Sequence, residues 1–123
     1  MSDPIINSAQ LSQLTDVGLA AAHLGKPGEA RAIFENLLAC APEHAPAQIG
    51  LAFTYLVSND FEKAETLLRE ALAKNPEDGE ALALLGLTLG FGGKPEEAAK
   101  ALERVPAGSP ASRFVELLAD FEA

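Results

Sequence analysis

Residues 45–76 read APAQIGLAFTYLVSNDFEKAETLLREALAKNP, and this stretch decides the fold. Leu51 and Tyr55 before the turn signal Asn59-Asp60, and Leu68 and Ala71 after it, fall at the spacings of one helical face. The segment therefore predicts a helix, a turn and a second helix. Ala52 and Ala64 supply small side chains where two helices at roughly 8 to 10 Å between axes come closest. Pro76 follows the second helix, where a residue without a backbone donor ends the element.

The same marks recur on both sides at an interval of 34 residues: Gly18, Ala52 and Gly86; Ala30, Ala64 and Ala98; Pro42, Pro76 and Pro110. Turn signals separate each small residue from its alanine, at Gly25-Lys26-Pro27 and Gly93-Lys94-Pro95 as at Asn59-Asp60. Such a period, with two helices per unit, predicts an all-α solenoid in which each pair buries its apolar face against the next. Gly18 with Ala30 and Gly86 with Ala98 are the expected close approaches in the outer repeats. Leu14 and Val17 with Phe34 and Leu37, and Leu82 and Leu85 with Leu102 and Val105, are the expected core around them. Pro106 should end the third repeat's second helix early. Ser109-Pro110 then opens a further helix, whose stripe Phe114, Leu117, Leu118 and Phe121 would cap the stack. The expected boundaries are a tail at 1–10, repeats at 11–44, 45–78 and 79–109, and a capping helix at 110–123, all in a single domain.

These residues resemble the tetratricopeptide repeat, which has small residues at its eighth and twentieth positions, an aromatic or aliphatic residue at its eleventh and twenty-fourth, and proline at its thirty-second. Here those positions hold Gly18, Ala30, Ala21, Phe34 and Pro42; Ala52, Ala64, Tyr55, Leu68 and Pro76; Gly86, Ala98, Leu89, Leu102 and Pro110. The match runs from residue 11 to residue 110. The family's common tryptophan at the fourth position is replaced by Leu14, Gln48 and Leu82. The resemblance implies a right-handed α-solenoid of three helix-turn-helix repeats plus the capping helix.

The resemblance also implies that the first helix of each repeat presents ligand-facing residues to a concave groove. The carried-over positions include Leu19 and His23 in the first repeat, Ile49, Phe53, Leu56 and Val57 in the second, and Ala83, Leu87 and Phe91 in the third. This lining is strongly apolar. Leaving large apolar side chains in water invites association, so a cover is expected: an apolar helix or extended segment of a client protein, or the chain's own residues or a second copy. The family's alternative mode, a Lys and Asn clamp on a peptide's terminal carboxylate, lacks its residues here. The function implied is an adaptor or chaperone that binds a protein or peptide client; the alternative is a self-associating scaffold, such as a homodimer. In size and groove character the chain resembles the small tetratricopeptide-repeat chaperones of bacterial type III secretion.

Eighteen acidic against nine basic side chains give a formal charge of −9, which argues against nucleic acid and anionic membrane as partners. A lone Cys40 cannot form an intramolecular disulfide, which fits a reducing, cytoplasmic setting. Met1-Ser2-Asp3-Pro4 lacks the basic start of a signal peptide, and no apolar stretch is long enough to span a bilayer. Glu65 before Arg69, Glu70 before Lys74 and Glu96 before Lys100 are placed to pair on exposed second helices. Gly90-Phe91-Gly92-Gly93-Lys94 is not a phosphate cradle, because Thr88 stands at the first glycine position and Pro95 at the metal-binding hydroxyl. Cys40 and His44, with His23 elsewhere, fall short of a four-ligand zinc site, and Cys40 reads as an apolar filler. No nucleophile, base and orienter assemble, so the expectation is a protein that is not an enzyme and needs no cofactor or metal.

Overall fold

The computed structural model describes residues 7–112, and those residues fold into helices joined by short turns. The residues read as a capping stripe, 113–123, and residues 1–6 of the tail lie outside the described residues. The chain divides into two compact units, Met1–Asp60 and Phe61–Ala123.

The first unit holds α1 (Ser8–His23), α2 (Pro27–Cys40) and α3 (Ala45–Val57). α1 starts inside the stretch expected to be a tail, because the Asn7 side chain accepts from the backbone of Gln10 while the Gln10 side chain accepts from the backbone of Asn7. That reciprocal box satisfies two donors at the open helix end. α2 packs on both α1 and α3. At its centre the buried Phe34 ring lies against the backbone of both neighbours: a Cβ on Gly18 would stand 2.6 Å from Phe34 Cζ, and one on Gly50 would also run into the ring. Gly18 thus admits Phe34 rather than Ala30, although Ala30 is itself buried.

The second unit holds α4 (Phe61–Lys74), α5 (Gly79–Phe91) and α6 (Pro95–Glu103). α5 packs on both α4 and α6. It is buried nearly all round, with Leu82, Leu85 and Leu89 inside, as its almost uniformly apolar sequence requires. Gly86 makes room for Leu102 of α6, while Ala98 faces Gly90, at 3.9 Å from where a Cβ would be. α6 is only 9 residues long, against 14 in α2 and α4, and ends ahead of Pro106. Residues 110–112 open a further helix whose start lies beside Gly79.

Each first helix leaves through the same turn. Gly25, Asn59 and Gly93, spaced by the repeat period, have φ of 78°, 63° and 85°. The residue after each donates back to the carbonyls of Ala21, Tyr55 and Leu89 respectively. This is the left-handed closing turn that satisfies carbonyls at a helix end.

Two sequence expectations are corrected by the packing. Leu14 and Val17 are not core: they are 38% and 53% exposed, because the buried face of α1 runs through Thr15, Gly18 and Ala22 instead. Cys40 is an exposed free thiol at the end of α2 and fills no apolar gap.

Candidate partner-binding surfaces

The candidate positions lie on α1, α3 and α5. In the first unit the His23 and Phe53 rings meet at 5.4 Å between centroids, tilted by 48°, and so bring the ends of α1 and α3 into one aromatic contact. His23 is exposed, Leu19 and Phe53 are half-buried, and Val57 at the end of α3 is 45% exposed. Ile49 and Leu56 are buried in the unit and form its floor. Thr54, between Phe53 and Tyr55, points inward and satisfies its hydroxyl on the Leu51 carbonyl at 2.6 Å.

In the second unit Phe91 is 66% exposed and stacks on Phe61 at 6.3 Å between centroids, 21° between planes. Leu87 is half-buried one turn earlier, and Ala83 is buried. Phe61 was missed by the sequence reading; it opens α4 at the position where Pro27 and Pro95 open α2 and α6, an aromatic in place of proline. The Arg31 guanidinium stacks over the Tyr55 ring at 4.4 Å and donates to Ser58 Oγ at 3.0 Å, a contact the sequence did not signal.

The charged side chains gather elsewhere. In the second unit Glu65 accepts from Arg69 Nε at 2.8 Å and from Lys94 Nζ at 3.1 Å, while Arg69 reaches Glu97 at 3.5 Å. The hydrogen bond from Arg69, aided by Lys94, holds the Glu65 carboxyl below the usual glutamate range, against a smaller opposing effect of burial. Glu65 with Arg69 is the helical pair expected from the sequence; no such bridge joins Glu70 to Lys74 or Glu96 to Lys100 among the described residues. Thr15 Oγ lies 3.4 Å from His44 Nε2. Among the described residues no three His, Cys, Asp or Glu side chains gather as metal ligands do, and no helix is long and apolar enough to cross a membrane.

Comparison with known proteins places this arrangement. The family model for the tetratricopeptide repeat matches residues 21–87 and again 60–121. The chain belongs to the tetratricopeptide repeat family. Among curated proteins it is similar to the cellulose synthase operon protein C of Pseudomonas fluorescens (strain SBW25), with 32% identity over 108 residues. That similarity takes in 88% of this chain but only 8% of the length of that relative. Among solved structures, the Sgt2 tetratricopeptide domain of Aspergillus fumigatus superposes with a TM-score of 0.81 at 20% identity, over 99% of this chain and 84% of that one. The first tetratricopeptide domain of Spaghetti (RPAP3), solved bound to the HSP90 peptide SRMEEVD, gives 0.77 at 24% identity, over 94% and 97% of the two chains. These likenesses fix the fold of the tetratricopeptide chain as helical repeats.

Proposed function

We propose that this tetratricopeptide chain is a protein-binding module, an adaptor or chaperone acting in the cytoplasm, that holds an apolar segment of a client on its first helices. The observation that carries the reading is the apolar surface left in water at the ligand-facing positions. In the first unit Val57 is open to solvent and Leu19 and Phe53 are half-open; in the second Phe91 is open and Leu87 half-open. Fully burying a Leu or Phe side chain is worth roughly 1.5 to 3 kcal/mol, so covering even part of this surface supplies useful affinity. Ile49 and Leu56 in the first unit and Ala83 in the second, already buried, act as support within their own units.

The client's chemistry follows from what the positions lack. The HSP90 peptide held by the Spaghetti domain is acidic, with two Glu and one Asp in seven residues. Here the chain carries −9, and none of the positions from Leu19 to Phe91 assigned to the surface holds Lys, Arg or Asn. An amphipathic helix or extended apolar segment fits this surface better than an acidic tail. The likeness to the type III secretion chaperones rests on the same apolar character.

The test is affinity capture from host lysate with the wild type, Phe53→Glu and Phe91→Glu. Proteins retained by the wild type and lost by both variants, each melting as the wild type does, are the expected result. An unchanged set of captured proteins with both folded variants contradicts the reading.

A further inference from the structure

One side chain at the positions assigned to the client surface can carry charge. His23 alone among them is ionisable; the others hold leucine, isoleucine, valine, alanine and phenylalanine. It closes α1, where it is exposed. Its ring meets that of Phe53 in α3, at 5.4 Å between centroids and tilted by 48°. At that distance the two rings are in contact, so an apolar segment laid over Phe53 also displaces water from the His23 imidazole.

The charged groups of the first unit leave His23 without a partner for a positive charge. α1 brings Asp16, two turns earlier, and the turn after it brings Lys26. α2 and α3 both pack on α1. α2 carries Glu29, Arg31, Glu35 and Cys40, with Arg31 engaged by the Tyr55 ring and Ser58. α3 carries the Tyr55 phenol, with Asp60 in the turn beyond it and His44 ahead of its first residue, beside Thr15. Among the described residues none of these groups bonds to His23, whose partner is the Phe53 ring.

We propose that His23 makes the client surface of the first unit acid-sensitive, holding an apolar segment with the imidazole neutral and releasing it when the imidazole is protonated. This rests on the client surface proposed above. Histidine is the side chain whose charge changes between about pH 5 and pH 8. In the free protein the exposed ring carries that charge in contact with water. Under a client it would carry it between Phe53 and an apolar segment, where an unpaired charge is strongly disfavoured. The contact with Phe53 exists in both states and so does not offset this loss of water. Proton and client therefore compete, and affinity falls as pH falls through the imidazole range.

Nile red, an uncharged apolar dye, is the probe, so that a pH effect arises from the protein. Its binding to the full chain is followed by fluorescence at about pH 8 and about pH 5, with circular dichroism checking that helix content is the same at both. The wild type should bind at least about fivefold more weakly at the lower pH. His23→Gln should bind equally at both, and His44→Gln, which removes the other histidine, should keep the wild-type difference. Equal wild-type affinity at the two pH values overturns the proposal, as does a difference that His23→Gln retains. Phe53→Glu separates this failure from that of the client surface. Dye that Phe53→Glu loses, but that the wild type holds equally at both pH values, defeats the acid sensitivity alone. Dye that Phe53→Glu retains in full at the higher pH defeats the client surface of the first unit, and the inference with it.

Discussion

Phe34 is the residue on which the first unit turns, since its ring occupies space that a side chain on either Gly18 or Gly50 would need. A ring so enclosed cannot shift away from one glycine without meeting the other. Gly50→Ala should therefore cost about 1 to 3 kcal/mol by overpacking, and Phe34→Ala about 3 to 5 kcal/mol through the cavity it leaves. Urea denaturation of the two variants checks both figures. Gly18 was legible because Ala52 and Gly86 repeat it; Gly50 was not, because Asp16 and Leu84 stand at its equivalents and the constraint comes from one ring. The exposure of Leu14 and Val17 was equally hidden, since a periodic pattern marks a face without saying whether anything covers it. At Glu65 the lowered folded pKa means that its ion pairs add stability above the unfolded pKa, and that this is lost as pH falls through the folded value. Glu65→Gln should accordingly cost below about 1 kcal/mol near neutral pH, because the pairs are partly solvated. The difference from wild type should vanish in thermal melts well below about pH 4.

At the scale of the element, the three closing turns ask for one conformation and receive two solutions, glycine at 25 and 93 and asparagine at 59. A Cβ at Gly25 or Gly93 meets nothing within 4 Å, so any cost of substitution is conformational rather than steric crowding by neighbours. Gly25→Ala and Gly93→Ala should each destabilise by about 1 to 2 kcal/mol, read as a lower melting temperature. Asn59→Gly should be neutral or raise it slightly, since asparagine already tolerates this region. These turns were legible from residue type alone, as was the early end of α6 ahead of Pro106. The start of α1 was written in the sequence too, as Asn7 followed three residues later by Gln10, a box whose amide acceptor is less conspicuous than a glutamate. What sequence could not supply was the split of the candidate positions into floor and surface. Ile49 and Phe53 are both apolar and a turn apart on α3, yet one is buried and the other half-open to water.

For the molecule as a whole, charge and apolar surface are kept apart. Among the described residues most charged side chains sit on α2, α4, α6 and the connecting turns, while α1, α3 and α5 together carry Asp16, His23, Tyr55 and Glu80 as their ionisable side chains. The binding proposed for the first helices should therefore be governed by burial of apolar area and not by attraction between charges. A segment of a captured client, titrated calorimetrically at several temperatures and at low and high salt, tests that claim most directly. The account predicts a negative heat-capacity change, an affinity nearly indifferent to salt, and at least a tenfold loss on Phe91→Glu. An affinity that falls steeply with salt and survives Phe91→Glu and Phe53→Glu would contradict it.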